Sequence, residues 1–158
     1  MTIDGCAALL DSNVAIAILA EAHEHHAASL ALITEGDAAA FAISAHSYAE
    51  TYATVTRRGE HAPFRFRADE AWAALESLRA ITRLVGLTAP QTFDVVRAFA
   101  GADRVGPRLY DALIGRAAIA HEIPCIVTWN TRHMRALFPS VDVLTPHAFV
   151  TGTQSGSS

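Results

Sequence analysis

The sequence contains no lysine, and all twelve of its basic residues are arginine. This absence excludes mechanisms that need a lysine, among them Schiff-base chemistry and the phosphate-binding P-loop that ends in GK[ST]. It also excludes a receiver domain of the type that pairs acidic residues with a lysine. The net charge is −4, so the protein as a whole does not attract nucleic acid. Any contact with RNA or DNA therefore depends on local arginine clusters or on bound metal ions.

Cysteines and long apolar runs are also scarce. The two cysteines, Cys6 and Cys125, cannot build a disulfide framework or a CxxC metal pair. Each stands at the head of an apolar run, so we expect buried thiols. No apolar run approaches the roughly 20 residues that cross a membrane. The first residues lack the basic and apolar segments of a secretory signal, so we expect a cytoplasmic protein with no membrane partner.

What is present predicts one folded domain. Hydrophobic residues make up 51% of the 158 residues and charged residues only 18%, which excludes disorder for most of the chain. This length is typical of a single hydrophobic core, and we expect one domain over residues 1–150. The last eight residues, Thr151–Ser158, are small and polar and predict a disordered tail.

Short apolar runs alternate with longer helical stretches, which is typical of an α/β protein with a parallel sheet covered by helices. Five runs predict strands: Cys6–Leu10, Ala40–Ile43, Leu84–Leu87, Cys125–Thr128 and Val141–Leu144. Seven stretches predict helices: Asn13–Leu19, His25–Thr34, Ala45–Arg57, Ala68–Ala80, Gln91–Ala100, Arg108–His121 and Thr131–Leu137. We expect a loop between the third and fourth helices.

Ligands of an open parallel sheet bind beyond the carboxyl ends of its strands, and two aspartates fall near those ends. Asp11 directly follows the first predicted strand, where an aspartate taken alone is more often a helix cap than a ligand. Asp111 shares a predicted helix face with Ile114, Gly115 and Ala118. A carboxylate on such a face is costly unless it is paired or coordinated, although the first turn of a helix also favours a negative charge.

Four further polar residues follow strands. Glu50 lies about two turns into the helix after the second strand, where a solvated polar face is the ordinary interpretation. Thr128 and Asn130 follow the fourth strand, and Asn130 could simply cap the next helix. His133 comes three residues later, at a position that is typically exposed.

Taken together, these residues predict a metal site. Asp11, Glu50, Asp111 and Asn130 should converge at one edge of the sheet. Three carboxylates and an amide form an all-oxygen site, which suits Mg²⁺ or Mn²⁺ rather than Zn²⁺. Hard divalent ions on clustered carboxylates support the hydrolysis of phosphodiester bonds.

Four segments resemble the signature segments of PIN domains, and more narrowly those of the VapC toxins of bacterial toxin–antitoxin modules. They occur in the family's order: LLDSNVAIAIL at Leu9–Leu19, AETY at Ala49–Tyr52, YDALIGRAA at Tyr110–Ala118 and VTWNTRHM at Val127–Met134. The resemblance extends from Leu9 to about Phe149. It implies a three-layer α/β/α fold with a central parallel sheet of about five strands.

The resemblance also implies a function. It implies a Mg²⁺- or Mn²⁺-dependent endoribonuclease that leaves a 5′-phosphate and a 3′-hydroxyl on a substrate such as tRNA or rRNA. Toxins of this kind form homodimers and are inhibited by a cognate antitoxin encoded beside them. The resemblance places Asp11, Glu50 and Asp111 at the family's three most regular acidic positions, as metal ligands and catalytic residues.

The same resemblance assigns further roles and reveals one departure. Asn130 stands where many members carry a fourth aspartate, and its single neutral oxygen would hold a second metal less tightly. Asn130 remains among the catalytic residues. Ser12, Thr128, His133 and Arg57 are expected to assist the substrate.

Two other clusters have two interpretations each. Arg57 and Arg58, like the arginines around Phe64 and Phe66, are either solvated or hold RNA through phosphate contact and stacking. The run from His23 to His26 could suggest zinc. However, adjacent side chains on a helix diverge by about 100°, which favours a polar surface.

Two other function classes remain open. A PIN-like module could bind RNA or a protein without cutting, which Asn130 favours and the three intact carboxylates disfavour. A metal-dependent phosphatase acting on small phosphoesters is the second alternative. The DxD motif of haloacid-dehalogenase-type phosphatases is absent, because position 13 is Asn13.

Overall fold

The computed structural model describes residues 5–155, with side chains as far as residue 152. The strands are β1 (Ala8–Leu10), β2 (Phe41–Ser44), β3 (Arg83–Val85), β4 (Cys125–Val127) and β5 (Asp142–Leu144). The helices are α1 (Ser12–Leu19), α2 (His26–Thr34), α3 (Ala45–Thr56), α4 (Ala68–Ile81), α5 (Ala89–Gly101), α6 (Arg108–Ala120), α7 (Thr131–Leu137) and α8 (Pro146–Ser155). All predicted strands and helices are present, with ends shifted by a few residues, and a short 3-10 helix at Ala38–Ala40 and α8 are additional.

The five strands form one parallel sheet in the order β3-β2-β1-β4-β5. The central strand β1 pairs with β2 through Leu10 and Ile43 and with β4 through Leu10 and Val127. The chain leaves the sheet at the β3 edge and returns to it at β4, so the strand order reverses beside β1. The carboxyl ends of β1 and β4 therefore flank the place where ligands bind in such sheets.

Side chains alternate between the two faces of the sheet, and each face has its own apolar core. Leu9, Ile126 and neighbouring strand residues pack under α6 and α7. Leu10, Ile43 and Val127 face the other way and pack under α1, α2, α4 and α8. The sheet is thus the middle of three layers, as the resemblance implies.

Gly115 marks a close approach between α6 and the end of α7. A side chain at this position would overlap the ring of Phe138. Asp111 lies one helical turn before Gly115 on the same face of α6. The absent side chain therefore sets how closely this part of α6, and Asp111 with it, approaches the sheet.

The prediction of a disordered tail from Thr151 is wrong for residues 151–155, which continue α8. Phe149 and Val150 pack against the core, with the Phe149 ring centroid 5.3 Å from that of Phe41. The Thr151 hydroxyl donates a hydrogen bond to the carbonyl of residue 147. This docking extends the helix into polar sequence, and residues 156–158 of the predicted tail lie outside the described part.

The expectation of buried thiols is confirmed. Cys6 and Cys125 are both free and buried. Burial raises the pKa of Cys125 to about 11, so its thiol stays protonated at neutral pH. In the described part of the chain, no helix has both the length and the apolar character needed to cross a membrane.

Candidate functional site

Asp11 follows β1 and caps α1, and it is only 4% exposed. Its Oδ1 accepts a hydrogen bond of 2.7 Å from the Ser12 backbone N–H, and its Oδ2 accepts one of 2.7 Å from the Thr128 hydroxyl. Burial raises the pKa of Asp11 to about 6 against these hydrogen bonds, and the negative charges of Asp111 and Glu50 act in the same direction as burial. Asp11 thus caps a helix and lies within the electrostatic reach of two other carboxylates.

Thr128 joins the ends of the two central strands. Its buried hydroxyl donates to Asp11 and accepts from Asn13 Nδ2 and from the Asn130 backbone N–H, both at 3.0 Å. Asn13 Oδ1 in turn accepts from the Trp129 backbone N–H at 3.1 Å. Thr128 therefore holds Asp11 in place, and Asn13 is a supporting residue that was not among the predicted site residues.

Glu50 extends from α3 toward the same strand ends. The Ser12 hydroxyl donates to Glu50 Oε1 at 3.0 Å. His46, one turn earlier on α3, places Nε2 3.0 Å from the same oxygen, although this buried nitrogen has no aligned hydrogen-bond partner. The Tyr110 ring stacks on His46 with centroids 5.3 Å apart. His46 was not among the predicted site residues, although its i,i+4 spacing from Glu50 was visible in the sequence.

Asp111 lies half-buried in the first turn of α6. Burial and then the charge of Glu50 raise its pKa, while the neighbouring His133 and Arg108 lower it. Among the described residues, no donor makes a hydrogen bond to its carboxylate. The Asp111 carboxylate therefore lies near two other carboxylates and accepts no hydrogen bond from the described residues.

A hydrogen-bonded chain runs from Arg108 to Asn130 through His133. Arg108 Nη2 lies 3.0 Å from His133 Nε2, and the Asn130 amide lies 2.7 Å from His133 Nδ1. A guanidinium can only donate, so Nε2 must accept and the proton of the neutral ring is on Nδ1. The structure places Asn130 Nδ2 at this position, and a half-turn of the amide, which brings Oδ1 toward Nδ1, gives the protonated Nδ1 an acceptor.

The side chain of Asn130 does not cap α7, and the side chain of Arg57 does not contact the carboxylates. Asn130 occupies the N-cap position of α7, but its side chain makes no capping hydrogen bond. Arg57 ends α3 about 10 Å along the helix axis from Glu50 and is exposed. In residues 5–152, no hydrogen bond or ion pair joins Arg57 to the cluster of Asp11, Glu50 and Asp111, which we call the carboxylate group.

The histidine run lies beside the site. The His25 ring stacks on Trp129 with centroids 3.9 Å apart, and the Trp129 indole N–H donates to the buried Ser29 hydroxyl at 2.9 Å. His23 packs near Phe64, with centroids 6.0 Å apart. These histidines thus belong to a row of rings, and His23 and His25 precede α2 instead of lying on it.

The side chains of the carboxylate group offer the type of donor atom that a hard divalent cation prefers. Asp11, Glu50 and Asp111 supply only oxygen donors, and no arginine of residues 5–152 forms an ion pair with them. As the side chains stand, however, no three histidine, cysteine, aspartate or glutamate residues of this part form a ready metal centre. Glu50 is turned toward Ser12 and His46, so closing around an ion requires the side chains to rotate.

Comparisons with known proteins agree with this fold. No curated protein matches the chain in sequence. Among solved structures, the chain is similar to the sarcin-ricin-loop-cleaving toxin VapC20 of Mycobacterium tuberculosis, with 16% identity over 82% of this chain and 95% of that one and a TM-score of 0.65. It is also similar to DNA-bound VapBC of Salmonella typhimurium, with 21% identity over 89% of this chain and 98% of that one and a TM-score of 0.60.

VapBC2 of Rickettsia felis, bound to a DNA fragment from its promoter, is a third similar structure. The identity is 17% over 87% of this chain and 96% of that one, and the TM-score is 0.57. At these identities the likeness establishes the fold alone. A model of the PIN domain family, in contrast, matches residues 8–138, which is most of the chain and includes all the carboxylates described above. The chain therefore belongs to the PIN domain family.

Proposed function

We propose that this protein is a divalent-metal-dependent endoribonuclease. The observation that carries the proposal is the convergence of Asp11, Glu50 and Asp111 at the carboxyl edge of the sheet, where the charges of Asp111 and Glu50 oppose ionisation of Asp11. Such a cluster is electrostatically unfavourable by itself, and a cation relieves it. Mg²⁺ or Mn²⁺ is the proposed ion, because every donor is an oxygen atom.

Each residue has a proposed role in hydrolysis. Asp11 and Asp111 hold the ion, which when bound offsets the charge of the scissile phosphate and activates water. Glu50, held by Ser12, either completes the ion site or orients the attacking water. Asn130, whose amide lies 2.7 Å from His133 Nδ1, assists at the ion or at a phosphate oxygen.

The proposal is tested with purified protein and end-labelled tRNA and rRNA in Mg²⁺, in Mn²⁺ and in EDTA. Cleavage should need the metal and should be lost in Asp11→Asn. Glu76→Gln, a change at an exposed carboxylate of α4, is the matched control and should cut like the unchanged protein. RNA binding without cleavage under all metal conditions would instead support a non-catalytic binding module.

We further propose that the enzyme is the toxin of a toxin–antitoxin pair and is inhibited by a cognate antitoxin. The similar solved structures support this, since they include a VapC toxin and two VapBC complexes. Expression of the chain in bacteria should arrest growth, and Asp11→Asn should not. Co-expression of a short adjacent reading frame should restore growth. The homodimer is part of the same proposal and is checked by light scattering.

A further inference from the structure

A cavity of about 370 Å³ opens beside the carboxylate group, between the end of α5, the start of α6 and α7. One part of its wall is polar and consists of Arg104, Arg108 and His133. The other part is apolar and includes Val105 and Leu137. Val105 is 85% exposed, so its side chain is available for contact with a ligand.

The two arginines of this cavity are not in ion pairs with other described residues. Arg67 and Arg97 form ion pairs with neighbouring carboxylates at 3.1 Å. In residues 5–152, neither Arg104 nor Arg108 has such an ion pair, and Arg108 instead donates to the neutral ring of His133. The charge of Arg108 acts on Asp111 and lowers its pKa, but no carboxylate of the described residues lies within ion-pair distance of either arginine. Two such guanidinium groups in one concavity are suited to bind a phosphate group.

The size and the apolar wall narrow the class of ligand. The volume is at the small end of the roughly 300–1,000 Å³ range of small-molecule sites, so the cavity does not admit a double helix. An apolar wall beside a basic one matches a nucleotide, whose base is flat and weakly polar and whose phosphate is anionic. RNA recognition of this kind uses unstacked bases of single-stranded segments.

The cavity is also connected to the carboxylate group. His133 lines the cavity with one ring nitrogen on Arg108 and the other on Asn130, which follows β4. Asp111 lies one turn into the helix that begins with Arg108. A nucleotide in the cavity would therefore lie directly beside a phosphate group bound at Asp11, Glu50 and Asp111.

We propose that this cavity binds one unpaired nucleotide of the RNA next to the scissile phosphate, with its phosphate on Arg104 and Arg108 and its base on Val105 and Leu137. The inference rests on the proposed function and deepens it. It predicts that the enzyme cuts beside an unpaired nucleotide rather than within a continuous duplex.

The test measures RNA binding in EDTA, so that cleavage cannot intervene. A fluorescein-labelled single-stranded oligouridylate is titrated with protein, and its anisotropy gives Kd. Arg104→Ala should weaken binding about five- to tenfold and should lower the salt dependence of Kd, because one phosphate contact is lost. Ala136→Trp places a bulky ring in the cavity from an exposed position of α7 and should weaken binding about tenfold.

Arg116→Ala is the matched control, because Arg116 is an exposed arginine farther along α6. It should change Kd less than twofold, and circular dichroism confirms that each variant is folded. The proposal is overturned if the unchanged protein does not bind the oligonucleotide, or if either Arg104→Ala or Ala136→Trp binds as tightly as the control. Binding that follows the expected pattern without any metal-dependent cleavage would refute the nuclease proposal and leave the nucleotide cavity supported.

Discussion

Asp11→Asn should make the metal-free protein more stable while it abolishes function. A pKa of about 6 in place of the ordinary 3.8 means that ionised Asp11 is about 3 kcal/mol less favourable in the folded than in the unfolded chain. Asparagine removes this charge and keeps an oxygen that can accept from the Ser12 N–H. The amide nitrogen that replaces Oδ2 cannot accept from the Thr128 hydroxyl, and the loss of this hydrogen bond costs about 1 kcal/mol. The net gain at neutral pH is about 2 kcal/mol, or about 4–8 °C in Tm for a chain of this length.

The gain should depend on pH with a definite sign. Because the folded-state pKa of Asp11 lies above the unfolded value, the folded chain binds more protons between about pH 4 and pH 6. The unchanged protein therefore loses stability as the pH rises through this window and carries the full penalty above it. The asparagine variant has no such loss, so the difference in Tm should be small at pH 4 and largest at pH 7 and above.

Thermal unfolding followed by circular dichroism in EDTA, at pH 4.5, 6.0 and 7.5, measures this difference. Glu76→Gln, which changes an exposed carboxylate on α4, should shift Tm by less than 2 °C at every pH, as surface substitutions ordinarily do. If Asp11→Asn is no more stable than the unchanged protein at pH 7.5, or if its advantage does not vary with pH, then burial does not destabilise the Asp11 carboxylate and the reasoning fails.

Three further predictions concern the same edge of the sheet. Adding millimolar Mg²⁺ or Mn²⁺ should raise the Tm of the unchanged protein and shift that of Asp11→Asn much less, as differential scanning fluorimetry would show; equal shifts would place the ion elsewhere. Thr128→Val should cost about 2 kcal/mol in urea unfolding, because the buried hydroxyl donates to a carboxylate and accepts two hydrogen bonds; a cost near zero would contradict that role. Gly115→Ala should lower the free energy of unfolding by about 1–3 kcal/mol in the same assay, because the ring of Phe138 must move. An unchanged urea midpoint would mean that a Cβ fits between α6 and Phe138.

The sequence was sufficient to predict the layers of the fold, because hydrophobic periodicity is a local property of each segment. It was misleading at the C-terminus, where composition alone suggested disorder. There the helix is extended because Phe149 and Val150 dock on the core, a contact with Phe41 on β2 that local composition does not reveal.

The carboxylates could also be predicted, because the carboxyl ends of parallel strands meet at one edge of the sheet once the strands are correctly predicted. The supporting residues could not. His46 reaches Glu50 by a helical spacing that is equally typical of a solvated pair. Arg108 meets His133 only because α6 and α7 pack side by side, 25 positions apart in the chain. Arg57 shows the opposite case, since it shares a sequence neighbourhood with Glu50 but ends two turns away.

The position of β1 at the centre of the sheet has a consequence for synthesis of the protein. Asp11 is made early, but its hydroxyl partner Thr128 comes 117 positions later, and β4 must pair beside β1 before the two can meet. During translation the N-terminal part emerges first, at about 5–20 residues per second. The half-built chain thus exposes Asp11 without its hydroxyl partner, and the full arrangement forms only after β4 and Thr128 have been made.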